Sequence, residues 1–253
     1  MNDHGAAGFD TNDRMRVLVT GGTSGLGLAL VHAFHVRGAD VAFVARTRER
    51  VDDLARRLRG TLGIAGDVAD KNTIYPIALQ ALGWRGGLDV LINNASSLGP
   101  VPLATMADTS CEDFAQALET NVLGPFRLTK ALLGALAASA RDRRGGVVVN
   151  VSSDAAINAY ANWGAYGASK AALLQMTRIF DEEMRALGVR FLSIDPGDMD
   201  TPLHALAVPD ADPRDLLAPA DAARTVVAAI VAALPAREPS PPLHQAVPVE
   251  VIR

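Results

Sequence analysis

Strand-like and helix-like stretches alternate along almost the whole of this chain, and that alternation restricts the fold more than any single residue does. Short apolar runs at Met15 to Thr20, Val41 to Ala45, Thr61 to Ala65, Leu88 to Asn93, Val147 to Ser152 and Val189 to Ile194 have the length and continuity of buried parallel strands. Between them, helical spacing runs over Gly25 to Arg37, Arg48 to Leu58, Lys71 to Leu82, Trp163 to Leu187 and Pro219 to Leu234. A further helix is predicted to open at Ser110, where Ser-Cys-Glu-Asp resembles a capping box, and to run to about Ala140. Strands and helices in this order imply an α/β fold, a parallel sheet flanked by helices on both faces. At 253 residues the chain suits one such domain, taken as residues 15–253, with no repeat or linker dividing it. Residues 1–14 are polar and read as a flexible leader, and the proline-rich tail from Pro235 to Pro248 is expected to be extended.

The glycines lie where such a fold can use them. Thr20-Gly21-Gly22-Thr23-Ser24-Gly25-Leu26-Gly27 falls directly between the first strand and the first helix. A pyrophosphate must approach the backbone closely and meet the free N–H groups of a helix start, and glycines allow both the tight turn and the approach. The spacing Gly-x-x-x-Gly-x-Gly differs from the usual dinucleotide fingerprint, and a plain tight turn is the bland alternative. At the end of the second strand, an acid would hold a ribose 2′-hydroxyl; this chain has Ala45, then Arg46, Thr47 and Arg48. A guanidinium with no competing carboxylate suits a 2′-phosphate, so NADP (NADPH) is expected over NAD, against the alternative of a solvated surface arginine.

Only three lysines occur, and one of them, Lys170, follows Tyr166 at i+4 in Tyr-Gly-Ala-Ser-Lys, placing a phenol and an ammonium on one helix face. Ser153 ends a strand thirteen residues earlier, and Asn121 lies within the preceding long helix. With these motifs in this order, the chain resembles the short-chain dehydrogenase/reductase family in its single-domain form, over Val17 to about Leu203. Thr20 to Gly27 resembles the family's cofactor loop, Asp67-Val68 its adenine-contacting pair, and Asn93-Asn94-Ala95 its central-strand motif. Asn121, Ser153, Tyr166 and Lys170 resemble the catalytic tetrad, and Pro196-Gly197 with Met199 and Thr201 the segment over the nicotinamide. The resemblance implies a single doubly wound Rossmann-type domain and an oxidoreductase moving hydride between NADP(H) and a carbonyl or secondary alcohol. Two features depart from the family. Ser96 stands where Asn-Asn-Ala-Gly has its glycine, which bears on the local turn or the substrate mouth, and the end from Val247 to Ile252 follows a proline-rich stretch.

Carbonyl reduction needs a proton for the developing alkoxide, and Tyr166 is the expected donor. A free phenol titrates too high for neutral pH, and Lys170 nearby is expected to favour the phenolate. Ser153 is expected to hydrogen-bond the substrate oxygen. For Asn121 the resemblance implies a water or backbone geometry linking Lys170 to solvent. Ser96, Tyr160, Trp163 and His204 are candidate pocket residues, Tyr160 and Trp163 being equally readable as core. Leu98, Ile157, Met199, Leu203, Leu206 and Val208 suggest a moderately apolar pocket for a small to medium substrate, and between Asp198 and Pro213 only His204 could be basic.

The remaining composition excludes more than it assigns. A formal net charge of -4 gives no basic field for a nucleic acid. Cys111 is the sole cysteine and cannot form an internal disulfide, and His4, His32, His35, His204 and His244 show no metal-ligand spacing, so no metal is expected. The longest apolar stretch, Val226 to Leu234, is too short to span a bilayer, and a cytoplasmic protein without membrane partners is the expectation. Alanine and leucine on the helices bearing Asn121 and Tyr166 suggest a homo-dimer or homo-tetramer, sheet packing being the alternative. Two other functions stay open: a non-catalytic NADP(H)-binding regulator, and an epimerase or dehydratase on the same scaffold.

Overall fold

The computed structural model describes residues 14–234. The tail and all of the leader except Arg14 lie outside the described residues. Six strands form one parallel sheet: β1 (Arg16–Thr20), β2 (Asp40–Ala45), β3 (Leu62–Ala65), β4 (Val90–Asn93), β5 (Val147–Val151) and β6 (Arg190–Ile194). Their order is β3-β2-β1-β4-β5-β6, so the chain reverses its direction of travel across the sheet between β1 and β4. In open α/β sheets the crevice at the carboxyl ends of the strands flanking that reversal is the place for a ligand.

Among the described residues there are eight α-helices: α1 (Gly25–His35), α2 (Arg48–Arg57), α3 (Lys71–Arg85), α4 (Cys111–Leu118), α5 (Gly124–Arg141), α6 (Gly164–Met184), α7 (Pro202–Ala207) and α8 (Pro219–Ala233). Alternate strand residues enter opposite cores. Val17, Val19, Val41, Phe43, Val90 and Ile92 pack against Leu30 and Phe34 of α1 and Val226 and Ile230 of α8. Leu18, Ala42, Val44, Leu91 and Val148 face the other side, against Ile77 of α3 and Leu128, Leu132 and Leu136 of α5. Both faces being buried, the strands have no polar alternation, which is why they read as continuous apolar runs.

Three local features were not foreseen. The stretch from Ser110 to Ala140 is not one helix: a π-helical turn at Glu119–Leu123 separates α4 from α5, and Gly124 N–H donates to Glu119 O, five residues back. The extra residue leaves the hydropathy of the stretch helical, so the break has no sequence signature. Ser110 does start α4 as expected, its Oγ accepting from Asp113 N at 3.0 Å. The short helix α7 lies in a stretch to which the sequence assigned no element; it is opened by Thr201, whose Oγ1 accepts from His204 N at 3.2 Å. At the amino end of the sheet, fully buried Asp89 receives Arg16 N at 2.8 Å, Arg16 NH2 at 2.6 Å and Ser139 Oγ at 2.6 Å. One carboxylate thereby ties β1, the start of β4 and α5 together, each of its oxygens receiving a charged donor as a buried ion requires.

Candidate active site

A cavity of about 960 Å³ runs along the carboxyl edge of the sheet. At one end it is lined by Arg46, Thr47 and Arg50, in the middle by the turn after β1 with Asp67, Val68, Asn94 and Ala95, and at the other end by Ser153, Tyr166 and Lys170. Met199, Thr201, Leu203, His204 and Val208, from the segment containing α7, form a side wall there.

The turn after β1 is held from beneath. Thr20 is buried, its Oγ1 accepting from Asn94 N at 3.0 Å and Ala95 N at 3.1 Å, while Asn94 Nδ2 donates to Thr20 O at 2.8 Å. These bonds lock the turn to the end of β4 across the reversal point. Gly21 adopts φ +69°, a left-handed backbone that suits glycine. Ser24 is the N-cap of α1, but its hydroxyl makes no capping bond. Thr23, Ser24, Gly25 and Leu26 line the cavity directly; Thr20 and Gly27, expected among the contacting residues, lie behind the wall. They shape the turn instead, since a Cβ on Gly27 would come within 2.1 Å of Gly21 O.

At the opposite end Tyr166 is 8% exposed, with the ring of Trp163 edge-on to its own at 5.6 Å. Lys170 Nζ lies 5.4 Å from the centroid of that ring and donates to Val151 O at 2.7 Å. Ser153 follows β5 and caps the 3-10 turn Asp154–Ala156, accepting from Ala155 N at 3.2 Å. Asn121, in the π-helical turn, is 1% exposed and does not line the cavity. Its Nδ2 donates to Ser97 O at 2.7 Å and Ser169 Oγ at 2.8 Å; its Oδ1 accepts from Ser97 N at 2.8 Å and Ser96 Oγ at 3.1 Å. Two donors and two lone pairs are a side-chain amide's full complement, so these four bonds saturate Asn121 and none of them reaches Lys170. These bonds hold the backbone at Ser97 to Ser169 of α6.

Burial dominates the electrostatics. It pushes the Tyr166 phenol up to about 12, against the opposing pull of a hydrogen bond with Ser153, and pushes the Lys170 ammonium down to about 8. The expectation that Lys170 would draw the phenol's pKa down is not met here, because the ammonium is over the ring face and engaged by Val151 O rather than at the hydroxyl. The buried ammonium is also a stability liability. Its folded pKa is depressed, so the penalty is fully present below about 8 and is relieved as pH rises from there toward the unfolded value of 10.5. Without added nucleotide, Lys170→Met is therefore expected to be about 1–2 kcal/mol more stable than the parent at neutral pH. The advantage should shrink between pH 8 and 10.5, and urea titrations at several pH values read both effects.

Among the pocket candidates, Ser96, Tyr160, Trp163, His204 and Leu98 line the cavity. Ile157 does not; it is 75% exposed on the turn beyond Ser153. Tyr160 Oη donates to Asp154 Oδ2 at 2.5 Å, and His204 Nε2 lies 3.9 Å from Asp198 Oδ1. Several lining residues escaped the sequence reading, charged ones among them. Arg50 follows Arg46 by four positions and faces the same corner from the first turn of α2; Asp154 and Asp195 border the reacting end. Asp195 could have been found as the residue closing β6 immediately before Pro196-Gly197, since strand carboxyl ends border the crevice.

These features fit a dinucleotide. The cavity is continuous between a pair of arginines and the Tyr166 phenol, and the close-packed glycine turn lies midway at an uncapped helix start. Among the described residues no group of three or more His, Cys, Asp or Glu could hold a metal ion, and no helix is long and apolar enough to cross a membrane.

Comparisons with known proteins agree with this geometry. Residues 15–212 match the family model for short chain dehydrogenases. L-fucose dehydrogenase of Mus musculus is 36% identical over 199 residues, which is 78% of this chain and 70% of that protein. A short-chain dehydrogenase of Shigella flexneri complexed with NADP superposes with a TM-score of 0.76 at 30% identity, over 83% of this chain and 87% of that one. An alcohol dehydrogenase of the archaeon Thermococcus sibiricus complexed with 5-hydroxy-NADP gives 0.76 at 27% identity, over 86% and 91%.

Proposed function

The chain belongs to the short-chain dehydrogenase/reductase family, and on that premise we propose that it is an NADPH-dependent reductase of small to medium ketones or aldehydes, with Tyr166 as general acid. Membership makes it an oxidoreductase using a nicotinamide cofactor; the choice of NADPH, the substrate class and the residue roles are our reading. The observation that carries it is the single cavity joining Arg46 and Arg50 at one end to Tyr166, Ser153 and Lys170 at the other.

The cofactor, when bound, supplies the hydride. The chain's own residues manage charge and protons. The Tyr166 phenol gives its proton to the substrate oxygen as negative charge develops there, and the Ser153 hydroxyl donates to the same oxygen. Lys170 holds a positive charge over the Tyr166 ring and keeps two N–H groups beyond the one spent on Val151 O. Asn121 holds the Ser97 backbone to Ser169, three residues after Tyr166, and so fixes the loop after β4 against α6. Asp154, Asp195 and Asp198 border this end, while the arginines lie at the other, so a neutral or cationic substrate suits the mouth and a phosphorylated one does not.

Cofactor choice rests on Arg46 and Arg50, both lining the cavity with no ion-pair partner among the described residues. Arg46→Ala is expected to weaken NADPH about tenfold to a hundredfold while leaving NADH nearly unchanged, the loss of one charge-assisted bond to a 2′-phosphate. Fluorescence titration of both nucleotides measures this directly; equal losses for the two would count against the phosphate reading. The activity itself is tested by NADPH oxidation across a panel of aldehydes, ketones and quinones. Tight NADPH binding with no turnover of any panel member would favour a binding protein over a reductase.

A further inference from the structure

Ser96 stands where the family pattern has glycine, and the structure sets its hydroxyl against Asn121. Its Oγ donates to Asn121 Oδ1 at 3.1 Å, and the residue lines the same cavity as Tyr166. Asn121 Oδ1 does not depend on that bond, because Ser97 N holds the same oxygen at 2.8 Å. A serine hydroxyl has one proton and two lone pairs, and the proton turns to suit its surroundings.

Resting on the reading of Tyr166 as general acid, we infer that Ser96 is a positioning residue for proton transfer, a hydroxyl rotor between Asn121 and Tyr166. While Tyr166 is a phenol, the Ser96 O–H points to Asn121 Oδ1. When the phenol's O–H bond breaks and its proton passes to the substrate oxygen, the electron pair stays on Tyr166 Oη. The Ser96 O–H then turns to donate to the phenolate, and Asn121 keeps its bond from Ser97 N. No proton leaves Ser96. The hydroxyl thus favours the charged form of Tyr166, which glycine at this position would not do. Ser96 acts on the phenol in that direction, drawing its pKa down as Ser153 also does. The other charged and titratable groups facing Tyr166 are Lys170 on α6, Asp154 after β5 and Asp195 after β6, with Asp198 and His204 on the side wall. All are untouched by a change at Ser96, so they set the baseline and not the difference.

The test uses the full chain labelled with [13Cζ]tyrosine, in which the Tyr166 resonance is the one missing from Tyr166→Phe. In Ser96→Ala the onset of Tyr166 ionisation is expected to move up by about one pH unit, and kcat near neutrality for a panel carbonyl to fall about tenfold with KM little changed. Ser96→Thr keeps the hydroxyl and should titrate as the parent does. An unmoved titration in Ser96→Ala, even with lowered stability, would overturn the inference, and so would an equal shift in Ser96→Thr, which would implicate the turn and not the hydroxyl. If Ser96→Ala does not fold, Ser96→Gly is read by the same criterion. Failure of the general-acid reading is a separate result: turnover would then persist in Tyr166→Phe, whatever the resonance does in the Ser96 variants.

Discussion

Tyr166→Phe is expected to lower kcat by about two to four orders of magnitude, the contribution of a positioned general acid. Nucleotide affinity should change little, since the substitution removes one oxygen and keeps the ring against Trp163. Phenylalanine cannot supply the proton, and Ser153, whose hydroxyl is shared with Ala155 N and Asp154, has no acidity to replace it. A second signature concerns stability. The buried phenol titrates at about 12 against an unfolded value of 10.0, so the native state keeps a proton that the unfolded chain has lost in that interval. Parent stability therefore declines as pH rises from 10 toward 12 for this reason, and the variant lacks that part of the decline. Single-turnover kinetics with NADPH, paired with urea titrations on the alkaline side, separate the two effects. Variant turnover within tenfold of the parent would mean that another group supplies the proton.

The largest structural effect is expected from Gly27→Ala. The new Cβ would lie 2.1 Å from Gly21 O and 2.5 Å from Asn94 Nδ2. The first neighbour is backbone, and the second is pinned by its bond to Thr20 O, so neither can move aside without moving the turn. We expect a loss of about 3 kcal/mol in urea unfolding, the upper end of what overpacking typically costs, together with loss of measurable nucleotide binding. Leu28→Ala, one residue along on the partly buried face of α1, is the comparison: it should lower stability without abolishing binding. Parent-like binding in Gly27→Ala would show that the turn is not what receives the nucleotide.

The sheet and its main helices were legible because each strand is buried on both faces and each helix keeps one apolar side; Phe34 of α1 and Leu132 of α5 announce those sides. Tyr166 and Lys170 were legible because a short motif fixes their spacing, Ser153 because it ends a strand ahead of them, and the structure brings all three to one cavity. What could not be read depends on geometry across the chain. The π-helical turn keeps a helix's residue pattern while shifting its register, so nothing in Glu119–Leu123 marks it. Whether Arg46 or Arg50 reaches the cavity depends on where α2 begins. The direction in which Tyr166 and Lys170 shift depends on how far each is buried, and a sequence holds their spacing but not their solvation. Ser96 was visible as a departure, yet its partner Asn121 is 25 residues away.

The Asp89 tie has a consequence for how such a chain can change over generations. Arg16 and Ser139 anchor the amino edge of the sheet, while the loops bordering the cavity leave from the carboxyl edge. A substitution that redraws the mouth, at Tyr160, His204 or Val208, leaves that anchor intact. Selection can therefore explore new substrates at one rim while the opposite rim keeps the scaffold assembled, and a designer transplanting loops from a relative would do best to leave Arg16, Asp89 and Ser139 as a set.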